Sequence, residues 1–342
     1  MKNLQILIGL MLSVVCGYFA IRGVEWSAVW DAFAKLYWPA LLPALGCLGL
    51  LFLLRAYRWQ RFVAPLQPLP LRPFFSATLI GFMANDVLPL RVGELVRAYA
   101  LAHLTSVRIS TALATALLER VWDTIVIAVL LVATLSHFPL PAWLARANLL
   151  FLGGCAVFLL AGWLLVHRGE RVLSWLPPRL LTVARNFISG FTALRSISLV
   201  IGVSVLSLLI WLMLVAFYWV LLWGCGFALP LQAALMVTVL TVFAAAVPAA
   251  PGYVGTFQYA VVVALSFFSV SKEEALGFSI IAHLTQLLPV IIAGLVALVR
   301  ERLPLWPARL MPAETETPGG QTTQSAADAY EQQTERRKRQ SG

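Results

Sequence analysis

The sequence predicts an all-α polytopic membrane protein, with about six spanning helices and two re-entrant or broken helical hairpins arranged as an inverted repeat. Three observations lead to this fold class. Of the 342 residues, 61% are hydrophobic and 12% are charged, whereas soluble domains carry roughly 25% charged residues. Apolar runs recur at the length that crosses a bilayer. Two of these runs are interrupted by a similar motif of proline and glycine.

Six apolar segments are long enough to cross a membrane, which takes ~20 helical residues. The first of them resembles a signal peptide in position, but it lacks a convincing cleavage site, so we interpret it as an uncleaved span. The six predicted spans are 4–21, 39–57, 110–135, 147–166, 198–223 and 276–299.

The interrupting motif occurs twice, as Pro-Leu-Arg-Val-Gly at 89–93 and as Pro-Gly-Tyr-Val-Gly at 251–255. The helix that follows each copy repeats the same pattern, which indicates internal duplication. Paired apolar segments broken at corresponding places point to the substrate site of a transporter. The corresponding residues in the following helices are Ala112 and Ala275, Leu113 and Leu276, Arg120 and His283, and Asp123 and Gln286.

We interpret the regions around the two motifs, 73–104 and 231–269, as hairpins that face the protein interior, because irregular backbone at membrane depth needs cover from protein or water. Each hairpin lies between two spans, which defines repeat units 39–135 and 198–299. One span, 147–166, separates the units and inverts the second relative to the first. The first hairpin is then expected to enter from the cytoplasm and the second from outside, as in alternating-access carriers.

Loop charges predict the orientation. The face opposite the termini has only Arg22, Lys35, Arg146 and Lys272, so the positive-inside rule makes the terminal face cytoplasmic. We expect a membrane domain at 1–303 and a disordered basic cytoplasmic tail at 304–342. The basic residues assigned to the cytoplasmic face are Lys2, Arg55, Arg58, Arg61, Arg72, Arg91, Arg97, Arg108, Arg168, Arg171, Arg179, Arg185, Arg195, Arg300, Arg302, Arg309, Arg336, Arg337, Lys338 and Arg339.

Charged residues near the first break form the main candidate site. Glu119, Arg120 and Asp123 lie near the middle of span 110–135, where each buried charge costs ~2.5–3.5 kcal/mol and is functional by default. The helix that begins near Gly93 points its positive end at the break, which suits a phosphate. The alternative is a structural ion-pair cluster beside a simple turn. The other candidate binding residues at this break are Asn85, Arg91, Glu94 and Arg97.

The second break offers uncharged groups suited to a sugar or phosphate oxygen. His283 has a side chain that titrates near neutrality and is therefore a candidate for proton coupling, although a hydrogen-bonded core histidine is the favoured interpretation. The candidate residues here are Gly252, Gly255, Gln258, His283 and Gln286. The alternative is again a turn that needs only glycine and proline.

Several function classes are disfavoured by the sequence. The net charge of +10 lies in short loops between apolar spans and in the tail, so it indicates membrane topology and no nucleic-acid partner. We find no zinc spacing, nucleophile elbow or P-loop. The expectation is a protein that is not an enzyme and that uses no cofactor.

The segment Asn85–Arg97, the stretch from Ala114 to Asp123, and the motifs Pro251–Gln258 and Leu288–Pro289 with Gly294 closely resemble the transmembrane region of lysylphosphatidylglycerol synthases, a flippase-like family. The resemblance covers roughly 4–300. It implies a multi-pass protein of the bacterial inner membrane that moves lipids between leaflets. The family often has Glu where this chain has Gln258 and Arg where it has His283, so the second half lacks two charges.

Larger relatives carry a soluble aminoacyl-transfer domain. Only about 40 residues follow Arg302 here, so the synthase activity is not carried over. The expected function is a lipid flippase or lipid transporter for a phosphate-bearing phospholipid or isoprenoid-linked lipid. Its partners would be an anionic lipid substrate and, as candidates, lipid-biosynthesis enzymes, with the oligomeric state open. The alternatives are a non-transporting scaffold for lipid or glycan synthesis and, more weakly, a lipid-modifying enzyme.

Overall fold

The computed structural model describes residues 2–88, 92–135, 142–173, 178–246 and 250–303, some of them by their backbone alone. The described residues are helical and contain no strand, which confirms the all-α class. The predicted tail at 304–342 and the predicted site residue Arg91 lie outside the described residues. The helices are α1 (Lys2–Ile21), α2 (Trp26–Ala34), α3 (Leu41–Val63), α4 (Leu71–Val87), α5 (Gly93–Leu104), α6 (Ile109–Leu135), α7 (Ala142–Leu173), α8 (Pro178–Ser189), α9 (Ile197–Gly224), α10 (Leu231–Ala246), α11 (Thr256–Ser266) and α12 (Lys272–Arg300).

Each of the six predicted spans coincides with a helix, namely α1, α3, α6, α7, α9 and α12. Three segments in the described part of the chain are both long and apolar enough to cross a bilayer: Trp38–Val63, Ile197–Gly224 and Lys272–Arg300. The protein is therefore an integral membrane protein, and the total of six spans stays a prediction. Helices α2 and α8 lie outside the predicted spans.

Serine residues mark where two of the long apolar helices, α9 and α12, begin. The Ser196 hydroxyl accepts a hydrogen bond from the Leu199 N–H at 3.4 Å at the start of α9, and the Ser271 hydroxyl accepts one from the Glu274 N–H at 3.3 Å at the start of α12. These caps satisfy N–H groups that a helix leaves free in its first turn. Glu273 and Glu274 also lie in the first turn of α12, where negative charge is favourable.

Both predicted hairpins are present, and their arms are short. Helices α4 and α5 have 17 and 12 residues, and α10 and α11 have 16 and 11. At ~1.5 Å per residue, each arm is shorter than the ~30 Å thickness of the hydrocarbon core. The second break contains Gly252, Tyr253 and Gly255 with φ of +68°, +56° and +88°, which is backbone that favours glycine.

Contacts between helix ends define one face of the molecule. The side-chain amide of Gln67, before α4, donates to the Ser106 hydroxyl, after α5, at 2.5 Å. These residues therefore bridge the open end of the first hairpin. Arg72, at the start of α4, pairs with Glu301, after α12, at 3.3 Å. The first hairpin thus opens on the face where α12 ends.

The second hairpin opens at the other end of α12. Lys272, the first residue of α12, follows shortly after the end of α11 and donates to the Arg22 carbonyl at 2.6 Å. Lys35 lies 4.0 Å from Glu274 on the same face. Because α12 has 29 residues and is about 43 Å long, the two hairpins enter from opposite faces. This geometry confirms the inverted repeat.

The second break lies against the end of α4, which leads into the first break. A Cβ atom on Gly252 would lie 3.6 Å from the Asp86 carbonyl oxygen, so the second break touches the end of α4. Helix α4 also packs tightly against α12, where a Cβ on Gly294 would lie 2.4 Å from the Met83 Cβ. The α1 residue Ser13 covers the second break, since its hydroxyl accepts a hydrogen bond from the Ala250 N–H at 2.7 Å.

The first helices of the two repeat units, α3 and α9, pack side by side along the core. The N–H of Tyr37, just before α3, donates to the carbonyl of Gly224 at the end of α9, at 2.8 Å. The two helices therefore run antiparallel. This pairing brings the middle of α9 against the side chains of α3 that hold the site described below.

Close packing of α4 against α5 depends on glycine, which yields a first prediction. A Cβ atom on Gly93 would lie 2.1 Å from the Gly81 carbonyl oxygen and 2.4 Å from the Asn85 side chain. We expect Gly93→Ala to destabilise the protein by ~1–3 kcal/mol or more through overpacking. The measurement is the midpoint of unfolding in detergent.

The matched control is Gly49→Ala in α3, where an added Cβ would meet no atom within 4 Å. Alanine is the better helix former, so this control should unfold no earlier than the wild type. Equal midpoints for Gly93→Ala and Gly49→Ala would show that α4 and α5 do not require the close approach.

Candidate functional site

The charged residues in the middle of α6 face α3 and are paired there with arginine. Arg58 lies 3.2 Å from Glu119 through Nε and 2.7 Å from Asp123 through Nη1. The side chains of Arg58 and Glu119 are each 1% exposed. Arg58 Nη1 also donates to the Ser207 hydroxyl of α9 at 2.8 Å, so one guanidinium joins three helices.

Arg55 lies one turn earlier in α3 and shares Asp123 with Arg58. Its Nη1 is 3.4 Å from Asp123 Oδ2, while the Trp211 indole N–H donates to Asp123 Oδ1 at 3.1 Å. The Arg55 guanidinium also lies 5.0 Å from the ring centre of Phe82 and 5.5 Å from that of Trp211. Aromatic faces thus replace part of the water that the cation has lost.

The short helix after the first break enters the same cluster through Arg97 and Glu94. Arg97 forms a close ion pair with Glu119 and lies 3.6 Å from Glu94 Oε2. Its guanidinium lies 3.9 Å from the ring centre of Trp59. The ion pairs therefore fix the N-terminal part of α5 against both α3 and α6.

Arg120 is the exposed end of the cluster. It forms a close ion pair with Glu94 and lies 3.6 Å from Asp123 Oδ2. The Arg120 side chain is 39% exposed and that of Glu94 is 29% exposed, whereas Asp123 is 5% exposed. An approaching ligand would therefore reach Arg120 and Glu94 before the other members.

We call this cluster the charge network. It consists of four arginines and three carboxylates among the described residues, so it carries one excess positive charge (4 − 3 = +1) when all are ionised. Arg55 Nε and Arg97 Nε are buried and have no hydrogen-bond partner in the described structure. Excess positive charge with unused N–H donors favours an anion, and phosphate above all, since guanidinium binds it through several N–H groups. The members are Arg55, Arg58, Glu94, Arg97, Glu119, Arg120 and Asp123.

The structure gives two of the predicted site residues packing roles. The Asn85 side-chain oxygen accepts a hydrogen bond from the Gly93 N–H at 2.8 Å, which caps α5. Gly93 has no room for a side chain next to Gly81. Asn85 therefore occupies the N–H of Gly93, and the prediction that the positive end of this helix suits a phosphate stays a prediction.

The second break is held by neutral hydrogen bonds. The Gln258 oxygen accepts from the Gly255 N–H at 2.8 Å, and Gln258 Nε2 lies 2.9 Å from His283 Nδ1. Because the amide oxygen of Gln258 is already an acceptor, its nitrogen donates to His283 Nδ1, which places the ring proton of a neutral His283 on Nε2. Phe257 stacks on the imidazole with ring centres 4.4 Å apart.

These contacts join the same helices as those of the first half, although Glu94 and Gln258 are not at corresponding positions. Arg120 contacts the short helix α5 through Glu94, and its counterpart His283 contacts the short helix α11 through Gln258. Asp123 bonds to α3, and its counterpart Gln286 accepts from the Tyr218 hydroxyl of α9 at 3.1 Å. The duplicated architecture therefore places charged pairs in one half and neutral pairs in the other. It also supports the interpretation of His283 as a hydrogen-bonded core histidine.

Arg55 and Arg58 were missed as site residues. They were counted among the basic residues of the cytoplasmic face, whereas α3 continues to Val63 and buries both side chains in the protein. A signal was present in the sequence: the spacing of Leu48, Leu51, Phe52, Arg55 and Trp59 continues one helical face through the arginines. Two charged residues are not expected on a buried helical face unless partners are known, and the carboxylate partners of Arg55 and Arg58 lie more than 60 residues away in the chain.

In the part of the chain that the structure describes, no group of three or more His, Cys, Asp or Glu side chains is placed to bind a metal ion.

The model of the family described as "Lysylphosphatidylglycerol synthase TM region" matches residues 6–294. The chain belongs to this family. The match covers both broken hairpins and the whole charge network, and it confirms the predicted family. Comparison with curated proteins and with solved structures found no match.

The buried ion pairs yield a second prediction. Arg58 and Arg97 both contact the carboxylate of Glu119. Glu119→Gln removes this shared negative charge, and breaking a buried ion pair costs about 3–5 kcal/mol. We therefore expect Glu119→Gln to unfold at a clearly lower denaturant concentration in detergent. The burial of Glu119 makes this substitution a stability mutation first.

A double-mutant cycle tests the pairing. Arg97→Met combined with Glu119→Gln removes one charge of each sign, so the loss should be smaller than the sum of the two single losses, by ~0.5–3 kcal/mol. Additive losses would mean that Arg97 and Glu119 do not interact.

Proposed function

We propose that the protein is a lipid flippase or lipid transporter that moves a phosphate-bearing lipid between the leaflets of the membrane. One observation carries this proposal: a buried network with an excess positive charge fixes a broken hairpin to α6 and is exposed at Arg120. Such a site attracts an anionic headgroup into a region where most charges are costly. Broken hairpins that enter from opposite faces are typical of carriers with alternating access.

The pairing at Arg120 supplies a mechanism for headgroup entry. Glu94 is the carboxylate that the headgroup phosphate would replace, because both Glu94 and Arg120 are partly exposed. Replacing one anion by another leaves Arg120 paired, so the exchange avoids the cost of a bare buried cation. Release of Glu94 from Arg120 removes one of the two described ion-pair connections between α5 and α6, and the pair of Arg97 with Glu119 then holds α5.

The second hairpin would act as the gate. Its break is held by hydrogen bonds between neutral groups, among them those of Gln258 with Gly255 and His283. A neutral hydrogen bond contributes only about 0.5–1.5 kcal/mol net, so this hairpin opens at lower cost than the charged one. Its tip touches the end of α4 at Asp86, which couples the gate to the hairpin that holds the headgroup.

A non-transporting scaffold is the second candidate, and one observation favours it. Every carboxylate of the charge network already has an arginine partner within the chain, as in a purely structural ion-pair cluster. In that function the basic cytoplasmic surface would recruit lipid-biosynthesis enzymes. For both candidates we infer that the protein itself catalyses no covalent step.

A liposome assay separates the two candidates. Purified protein is reconstituted into vesicles of phosphatidylcholine and phosphatidylglycerol with a fluorescent phospholipid, and transfer is read by dithionite quenching. We expect the wild type to transfer the lipid. Arg120→Gln should slow transfer by about 10-fold or more, because a hydrogen bond to a charged group contributes ~1.5–3 kcal/mol.

The control is Arg61→Gln, the same change at an exposed arginine at the end of α3, and its rate should equal that of the wild type. Absence of transfer by the wild type, for anionic and isoprenoid lipids alike, would favour the scaffold. Full transfer by Arg120→Gln would show that the charge network does not bind the headgroup.

We further propose a bacterial inner-membrane location with both termini in the cytoplasm. Arg72 and Glu301 lie on one face of the protein, and Arg22 and Lys272 lie on the other. Helix α12 therefore connects the two faces, and a reporter fused after α12 shows on which side of the membrane its C-terminal end lies. A fluorescent protein fused at the C-terminus should fluoresce, and alkaline phosphatase at the same place should be inactive. The reverse result would invert the assigned topology.

A further inference from the structure

A groove between α6 and α7 lies beside the exposed end of the charge network. Its volume is about 520 Å³, within the range of about 300–1,000 Å³ typical of ligand sites. The lining is mostly apolar, and the hydroxyl of Thr124 is already used, since it donates to the Arg120 carbonyl at 2.8 Å. The residues that line it with Arg120 include Leu117, Val121, Leu150, Gly154, Cys155 and Phe158.

Arg120 belongs to both the groove and the charge network. A molecule in the groove therefore has hydrocarbon surroundings on one side and, at Arg120, access to a partly exposed cation. Among the described residues of the groove, Arg120 is the charged one. This combination is complementary to an amphiphile with an anionic headgroup, and it distinguishes the groove from an ordinary apolar surface in contact with bulk lipid.

The length of the groove favours one class of lipid. On α6 it extends from Leu117 to Thr124 and on α7 from Leu150 to Phe158, which corresponds to about 10–12 Å at ~1.5 Å per residue. That length is somewhat shorter than the ~15 Å thickness of the hydrocarbon part of one leaflet. The groove would therefore cover a large part of one phospholipid acyl chain, but only a small part of a long isoprenoid chain.

We propose that this groove holds one acyl chain of a phospholipid whose phosphate binds beside Arg120. This inference rests on the proposed function and specifies its substrate class. The acyl chain would position the headgroup where it competes with Glu94, and the groove would keep the lipid attached to α6 while α5 moves.

Two glycines in α7 provide a matched pair of variants. A Cβ atom on either Gly153 or Gly154 would meet no atom within 4 Å, so both positions tolerate a side chain, but only Gly154 lines the groove. Gly154→Phe should fill the groove, and Gly153→Phe is the control with the same change one residue away. Leu117→Trp is a second filling variant, at a lining residue that is 44% exposed.

Binding is measured in vesicles of phosphatidylcholine and phosphatidylglycerol that contain a phospholipid with a photoreactive diazirine in its acyl chain. Labelling of the peptide that contains Leu150–Phe158 is quantified by mass spectrometry. We expect strong labelling in the wild type and in Gly153→Phe, and at least a five-fold reduction in Gly154→Phe and Leu117→Trp. Transfer of the fluorescent phospholipid should fall by a similar factor in the same two variants.

The outcomes separate this inference from the proposed function. Unchanged labelling in both filling variants overturns the groove assignment, even if the wild type transfers lipid. Labelling that depends on the groove in a protein that transfers nothing supports the groove and overturns the flippase proposal. Displacement of the probe by a polyisoprenyl phosphate at concentrations where added phospholipid has no effect would assign the groove to an isoprenoid lipid and overturn the acyl-chain assignment.

Discussion

The pairing of Arg58 with Glu119 and Asp123 is the interaction on which the rest of the site depends. Charges at this depth in a bilayer are tolerated only with partners, and Arg58 supplies one to both carboxylates of α6 at once. Its third contact, to Ser207, brings in α9. Arg97 and Arg120 then attach the short helix α5 to this frame through Glu119 and Glu94. The position of the first hairpin thus follows from electrostatics as much as from apolar packing.

The two repeat units use one architecture with different chemistry. Where the first half has the ion pair of Arg120 and Glu94, the second has a hydrogen bond between His283 and Gln258. An ion pair in an apolar environment resists separation unless another charge takes the place of a partner, while a neutral bond separates at modest cost. The asymmetry fits a carrier in which an anionic ligand controls one hairpin and the other responds.

Glycine contacts determine how closely the broken helices approach each other. Gly93 against Gly81 sets the distance between α4 and α5, and Gly294 sets that between α12 and α4. Gly255 has almost no space beside the Ser13 carbonyl of α1, so α1 closes over the second break. These contacts hold the second break against α1 and the end of α4, which covers part of its irregular backbone.

The sequence by itself determined the membrane class, the two broken hairpins and most of the charge network. Apolar length and the cost of charge in lipid are local properties, so Glu94, Arg97, Glu119, Arg120 and Asp123 could be identified as candidates without a structure. Apolar length also located the helices that carry them.

Tertiary structure alone decided which charges are partners. Arg55 and Arg58 lie near the end of a predicted span and look like loop charges until α6 places Asp123 and Glu119 beside them. Likewise only the folded chain shows that Asn85 of α4 caps α5 and that Gly93 lies in close contact with Gly81. Burial of an arginine depends on a carboxylate that is distant in the chain, and that proximity exists only in the folded protein.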